Sequence, residues 1–354
     1  MHTRRVRYPG KNPRRFQDKY KELNPERYAS EVQKVLASGK TPAGTHRPIM
    51  VAEVLGCLRP VAGEVAVDCT LGGGGHAQAI LERLQPGGRL IGLDVDPLEL
   101  PRAEARLRAA GFGPETFVAR QGTFAGLPLV LAREELASVD IVLADLGVSS
   151  MQLDNPARGF NYKEPGPLDM RMNPSRGESA AQLLARLSEE KLARLLDENA
   201  DEPHAALIAG LLKRQPVTTT HALDRLVRAG LSKALPKLSK PDLKMSVRRT
   251  LQALRIAVND EFSALDALLR SLPQCLAGGG RVAILTFHSG EDRRVKKAFQ
   301  AGYRSGVYSE VADEVTRSTM AETRANRRAS SAKLRWAVRA PDSDLARLAA
   351  EHQL

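Results

Sequence analysis

The stretch Val67-Asp68-Cys-Thr-Leu-Gly72-Gly-Gly-Gly75-His76 sets four consecutive glycines between a short apolar run and a helical pattern. Glycines at a strand-to-helix turn let the backbone come close to a ligand, and the start of the helix offers free N–H groups. Asp94 lies 22 residues beyond the first glycine, at the end of the next apolar run, where a carboxylate can accept both hydroxyls of a ribose. Together they point to a cofactor containing a nucleoside; a tight turn without a ligand is the bland alternative. A dinucleotide site favours G-x-G-x-x-G leading directly into a helix, whereas here the glycines end at His76 and an acid, Asp68, stands just before the loop. That carboxylate would repel a pyrophosphate and favour the ammonium of S-adenosylmethionine, so methyl transfer ranks above hydride transfer. No G-x-x-x-x-G-K-S/T string is present, which argues against a nucleotide triphosphatase.

Asp145 ends the run Val139-Asp-Ile-Val-Leu-Ala-Asp145 and is followed by Leu146-Gly-Val-Ser149-Ser150. In an open α/β sheet this is the carboxyl edge, where a methyl acceptor meets the cofactor. An exocyclic base amine is a poor nucleophile because its lone pair is delocalised into the ring. It needs orientation and a hydrogen-bond acceptor that lets the nitrogen pyramidalise, and Asp145, with Ser149 beside it, is the catalytic candidate; a turn cap is the ordinary alternative. His288 and Ser289 reach the same edge after a later strand, where His288 can position the base or accept a proton, although capping or core histidines are as common. Arg248, Gln252, Arg255 and Asn259, at spacings of four, three and four, share one helix face that suits RNA phosphates or the ordering of a catalytic loop, with Asn259 the further catalytic candidate. A solvated face is the rival reading. Cys57, Cys69 and Cys275 make neither a disulfide framework nor a zinc site, and no His/Asp/Glu cluster has metal-ligand spacing, so no metal is expected.

These residues need a scaffold. Strands are expected at Val65–Asp68, Arg89–Asp94, Thr116–Gln121 and Val139–Asp145, with helices over His76–Leu84 and Glu99–Ala110 between them. Such alternation implies a mostly parallel, Rossmann-like sheet covered on both faces. It stops after Asp145 and resumes at Arg281–Phe287, introduced by Gly278-Gly-Gly280. Residues 151–245 read as a helical insertion, with Ser188 a helix cap and Lys233–Lys244 a basic closing loop. Val247, Leu251, Leu254, Val258, Phe262, Leu265, Leu268 and Leu272 predict one long amphipathic helix lying on the sheet. The expected organisation is a basic extension over 1–44, a methyltransferase domain over 45–150 and 246–340, the insertion between its halves, and a tail over 341–354.

Lys and Arg number 53 against 41 acids, a net charge of +12, which favours polyanionic partners. Residues 1–44 alone hold 11 basic and 4 acidic residues, interleaved with Tyr8, Phe16, Tyr20 and Tyr28, a mixture suited to phosphate contacts and base stacking. No apolar run approaches a membrane span and the N-terminus has no apolar signal core, so a reducing cytoplasmic location is expected.

Asp68-x-Thr-Leu-Gly-Gly-Gly-Gly-His76, Asp145-Leu-Gly-Val-Ser-Ser150, Gln152-Leu-Asp154, Arg158-Gly-Phe160, Leu168-Asp-Met-Arg-Met172, Gln252-Ala-Leu-Arg-Ile-Ala-Val-Asn-Asp-Glu261, Phe287-His-Ser289 and Ser331-Ala-Lys-Leu-Arg335 occur in this order. Over residues 46 to 340 the chain resembles the bacterial 16S ribosomal RNA cytosine-N4 methyltransferase family (RsmH, formerly MraW). The resemblance implies a class I S-adenosylmethionine-dependent methyltransferase that modifies N4 of a cytidine in the decoding centre, with the small ribosomal subunit as partner. It places cofactor contacts on Gly74, Gly75, His76, Asp94, Phe124, Asp145 and Gln152; Phe124 and Gln152 rest on the resemblance alone. Oligomeric state is left open, a homodimer among the options.

Some strings depart from the family pattern. Its Gly-Glu-Glu reads Ala200-Asp-Glu202, the Phe before Gln252 is Leu251, the Leu after Phe-His-Ser is Gly290, Asn-Pro-Arg-x-Arg-Ser-Ala-Lys becomes Asn326-Arg-Arg-Ala-Ser-Ser-Ala-Lys333, and the N-terminal arm is longer than usual. Because these fall on the substrate side, a paralogue with another RNA target, or an RNA-binding assembly factor without catalysis, stands as the alternative. A small-molecule methyltransferase fits the basic charge less well.

Overall fold

The computed structural model describes residues 48–351, with side chains through residue 346. The basic extension and its aromatic residues lie outside the described residues. Helix α1 (Val51–Leu58) precedes β1 (Val65–Asp68), α2 (Gly75–Leu84), β2 (Arg89–Asp94), α3 (Leu100–Ala109), β3 (Phe117–Gln121), α4 (Leu127–Arg133) and β4 (Val139–Asp145). A short helix α5 (Ser150–Asp154) leads into α6 (Ala180–Arg186), α7 (Glu189–Ala200), α8 (Ala205–Lys213), α9 (Thr220–Ala234), α10 (Lys240–Asn259) and α11 (Glu261–Cys275). The chain then returns through β5 (Leu276–Thr286), α12 (Ser289–Arg304), β6 (Tyr308–Val311), β7 (Thr316–Arg317), α13 (Met320–Ala325), β8 (Lys333–Arg339) and α14 (Asp342–Glu351).

The strands form one sheet in the order β3-β2-β1-β4-β5-β8-β6, with β7 also on β8. From β3 to β5 every pairing is parallel, and β8 is antiparallel to its neighbours. This is the expected Rossmann-like α/β fold. Strand side chains alternate between faces, and both faces bury apolar side chains. Ile141 and Leu143 of β4 join the core under α1, α2 and α3, while Val142 and Ala144 join the one under α4, α11 and α12. Burial on both faces explains why the strands read as continuous apolar runs.

The insertion has a third core, built from α6 to α10, and Ser188 caps α7 by accepting from the Lys191 N–H at 3.3 Å, as expected. The single long helix is not observed. Asp260 takes a left-handed conformation (φ 50°, ψ 40°) that ends α10 and starts α11. Aspartate tolerates this region better than most side chains, and the apolar period runs unbroken across the bend, so the pattern conceals it. The stripe is thereby divided: Val247, Leu251 and Leu254 belong to the insertion core and Leu265, Leu268 and Leu272 to the sheet. The seam between the cores falls at Asp260 rather than at residue 245.

Two further expectations change. The basic loop shrinks to residues 235–239, because Lys233 lies in the last turn of α9, which ends at Ala234, and Ser239 caps α10, accepting from the Asp242 N–H at 3.2 Å. Strand β5 begins at Leu276, so Gly278-Gly-Gly280 lies within it, where the register against β4 shifts between Val139 and Ile141.

Candidate active site

The carboxyl ends of β1, β2 and β4 meet beneath α10 and α11 and enclose a cavity of about 1140 Å³. Its floor is the glycine loop. Gly74 stands at φ 76° before the first turn of α2, a conformation that suits glycine, and a Cβ on Gly75 would lie 2.8 Å from Pro48. Gly72, Gly73, Gly75 and His76 line the cavity, whereas Gly74 packs on Leu107 and does not. Asp68 does not line it either. Its buried carboxyl accepts from the Thr70 N–H at 3.0 Å, behind the loop, and burial raises it to about 6. Direct attraction of a cofactor ammonium by Asp68, as expected from sequence, gives way to an indirect role: Thr70 Oγ1 accepts from the Asp145 N–H at 2.6 Å, tying the loop to β4.

Asp94 lines the cavity where β2 ends. Its carboxylate accepts from the Gly72 N–H at 2.7 Å and the Asp96 N–H at 2.9 Å, and burial raises its pKa. A carboxylate has about four lone-pair positions, so these backbone bonds do not exhaust its capacity to accept. Asp96, two residues on, is fully buried. Its Oδ2 accepts from Gln152 Nε2 and Arg158 Nη1, both at 2.8 Å. Arg158 also donates to the carbonyls of Arg171 and Met172, at 3.1 and 2.8 Å. This buried node joins the end of β2 to the insertion. Gln152 also accepts from the Ser149 N–H at 2.9 Å, while Ser149 Oγ accepts from the Gln152 N–H at 3.1 Å, so these two form a reciprocal cap on α5. Both line the cavity, held by that cap.

Asp145, at the end of β4, lines the cavity half-buried. Its Oδ1 is buried without a hydrogen-bond partner, and its Oδ2 lies 3.6 Å from His76 Nδ1. His76 Nε2 is 2.9 Å from the carbonyl of Ile49, which can only accept, so that nitrogen carries the proton and Nδ1 of a neutral ring is left as an acceptor. Burial lowers the His76 pKa. Burial, and then the charge of Glu291, raise Asp145 to about 7. An acid with a buried, unpartnered oxygen and no arginine or lysine beside it is the arrangement expected where a cationic ligand or a proton is to be received.

Phe124, in the turn after β3, and Leu265 of α11 supply an apolar wall to the same cavity. The roof comes from the α10 to α11 junction. Arg255 forks Glu261 with two 2.8 Å hydrogen bonds, and Asn259 accepts from the Met172 N–H at 2.7 Å and donates to the Met170 carbonyl at 2.8 Å. Asn259 thus orders the 168–172 loop. Of the polar stripe, Arg248 remains exposed, and Gln252 reaches the Asn199 carbonyl at 3.5 Å.

His288 is not a cavity-lining residue. It precedes α12, packs 5.7 Å from the Phe262 ring, and places Nε2 3.2 Å from Glu291 Oε1, and it is Glu291 that reaches the cavity. Although no metal-ligand spacing exists in the sequence, folding brings Glu261, His288 and Glu291 together, their ligand atoms within 4.8 Å of one another.

Several residues in the strings that depart from the family pattern have local partners. Glu202 is buried in the insertion, accepting from Ser246 Oγ and the His204 N–H, each at 3.0 Å. A side chain at Gly290 would meet Phe262 Cζ at 2.7 Å, so the aromatic ring occupies the space of the missing leucine. Arg328 reaches Asp154 at 2.6 Å. Sequence reasoning did not single out Thr70, Asp96, Arg158, Glu261 or Glu291 as site-builders. The nearest signals were an acid and an arginine amid apolar neighbours, at Asp96 and Arg158.

A profile of the MraW methylase family matches residues 43–340. The protein named ribosomal RNA small subunit methyltransferase H 2 of Alkaliphilus metalliredigens is 48% identical over 342 residues, covering 95% of this chain and 97% of its own. Ribosomal RNA small subunit methyltransferase H 1 of Agathobacter rectalis is 46% identical over 346 residues, 96% of this chain and 98% of its own. Ribosomal RNA small subunit methyltransferase H of Myxococcus xanthus is 43% identical over 305 residues, 82% and 96% of the two chains. The first two alignments leave too few residues over to omit the arm, so most of residues 1–44 is shared with those relatives rather than peculiar to this chain. With a profile match spanning the sheet and the insertion, and relatives nearly half identical along almost the whole length, the chain belongs to the MraW methylase family.

Proposed function

We propose that this chain transfers the methyl group of S-adenosylmethionine to N4 of a cytidine in the RNA of the small ribosomal subunit, in the decoding centre. The observation that carries the reading is Asp145, a half-buried acid with one buried, unpartnered oxygen in the same cavity as the glycine loop and Asp94. The donor set suits the cofactor: Asp94 for the ribose hydroxyls, Phe124 beside the adenine, Gly75 and His76 along the loop, and the acidic Asp145 near its positive charge. When bound, S-adenosylmethionine supplies a methyl group on a cationic sulfur. The cavity exceeds the common range for small-ligand sites, about 300 to 1,000 Å³, which suits a cofactor and a base together.

The chain's own part is orientation and proton handling. An amine that gains a methyl group must lose one proton, which ionised Asp145 would take up to become a neutral carboxyl. Asp145 in its ionised form accepts a hydrogen bond from that amine. Thr70 holds the Asp145 backbone in place, and Asn259 and Ser149 order the loops that frame the acceptor. The near-full-length relatives named for small-subunit RNA support that partner over another RNA, and the family motifs present here support cytosine N4. A cytoplasmic location follows from that partner, and among the described residues no helix is long and apolar enough to cross a membrane.

The test is incorporation of tritium from labelled S-adenosylmethionine into small-subunit particles from a strain lacking this protein, with the product nucleoside identified by mass spectrometry. N4-methylcytidine is the expected product. Absence of label with wild type, or full labelling by Asp145→Ala, would overturn the reading.

A further inference from the structure

A second, shallower cavity of about 240 Å³ adjoins the first and shares Leu153, Arg255 and Arg328 with it. Its walls come from the segment after the Pro156–Arg158 turn, from α10 and from the Arg327–Ser331 turn. Four cations line it, Lys163, Arg248, Arg255 and Arg328, and no acid does. Arg255 is neutralised by Glu261. Lys163 and Arg248 are exposed and have no ion pair among the described residues, while Arg328 spends Nη2 on Asp154 and keeps a buried, unpartnered Nη1. Positive charge left unbalanced around a concave wall suits an anion.

The remaining feature is aromatic. Tyr162 lines this cavity half-buried, and Arg228, itself paired with Asp224 at 2.6 Å, lies over its ring at 5.8 Å from the centroid. Asn161 fixes the segment by donating to the Leu153 carbonyl at 3.2 Å and accepting from the Lys163 N–H at 2.9 Å. A held aromatic ring beside unpaired cations is the combination that binds single-stranded RNA, stacking a base and neutralising its phosphates.

We infer that this second cavity receives the nucleotide next to the one methylated, with Tyr162 stacking its base and Lys163, Arg248 and Arg328 holding the phosphates that flank it. The inference rests on the proposed RNA methyl transfer, because it is the target base in the large cavity that brings its neighbour to the shared wall. At about 240 Å³ against about 1140 Å³ for the first cavity, the second suits one base rather than several.

The experiment measures KM for small-subunit particles across a salt series, and Kd for S-adenosylmethionine, for wild type and three variants. Tyr162→Ala is expected to raise the particle KM about tenfold, as stacking of about 1 to 3 kcal/mol implies, and Tyr162→Phe to stay within about twofold of wild type. The double variant Lys163→Ala/Arg248→Ala is expected to raise KM and to reduce the salt slope by about one per cation removed. Cofactor Kd stays unchanged in all three. Ultraviolet crosslinking with peptide mapping is expected to join the Tyr162 peptide to the nucleotide beside the methylated one. A wild-type particle KM and salt slope in both Tyr162→Ala and the double variant, or a crosslink to a distant nucleotide, would overturn the inference. Wild type that methylates no particle would instead sink the parent reading.

Discussion

The two sides of the large cavity treat charge in opposite ways. On the sheet side, burial raises the pKa of Asp68, Asp94 and Asp145, and none of them has an arginine or lysine partner. On the insertion and return-strand side, ion pairs outweigh burial. Burial alone would raise Asp169 and Asp292, yet Arg171 lowers the first and Arg335 and Lys333 lower the second. Glu291, between the sides, is pulled below its ordinary value despite burial by His288, Arg255 and the Phe287 N–H. Unpaired acids disfavour their own charged form and gain most from an incoming cation, whereas paired acids hold elements together. The comparison separates residues arranged to receive a ligand from residues arranged to build its container.

The most severe way to break this contrast is to remove its sharpest member. Asp145→Ala is expected to lower the rate of methyl incorporation by about 10²- to 10⁴-fold, the range for loss of a positioned proton acceptor, with the tritium assay as readout. Asp145→Asn sharpens the point through stability. A carboxyl raised to about 7 when folded is favoured in its protonated form, so the folded state loses stability as pH rises from about 4 to 7. Denaturant titration should therefore find Asp145→Asn more stable than wild type at pH 8, by about 1 to 2 kcal/mol, and nearly equal at pH 4.

On the container side, Arg158→Met leaves Asp96 buried without its cation. A loss of about 3 to 5 kcal/mol is expected in the same titration, and a loss below 1 kcal/mol would mean the node is not structural. Asp94→Asn is milder, weakening a charge-assisted hydrogen bond to the ribose. Calorimetry should show about a tenfold rise in Kd for S-adenosylmethionine with little change in unfolding. The smallest effect belongs to the residue between the two sides. The plot of kcat/KM against pH should rise through about 7 as Asp145 ionises, and Glu291→Gln should move that inflection toward acid, because the neighbouring negative charge is gone. An unmoved inflection would assign the titration to another group.

Legibility followed the distance along the chain over which each feature is built. The glycine loop, Asp94 and Asp145 stand at the ends of β1, β2 and β4, so the alternation of apolar runs already ordered them. The break at Asp260 escaped because an aspartate can turn the backbone without disturbing the hydrophobic period. The convergence of Glu261, His288 and Glu291 escaped because it joins the two sides of β5.

By itself the sequence determined the mostly parallel sheet, the place of the glycine turn and the two acids at strand ends, since backbone alternation and turn chemistry act between neighbours. Only the tertiary structure decided which charges would find partners. Asp96 and Arg158 are 62 residues apart and meet, whereas Asp68 and Asp145, on adjacent strands, meet no cation. The cost of burying a charge depends on what folding brings within about 4 Å of it, and that distance is not written in residue order.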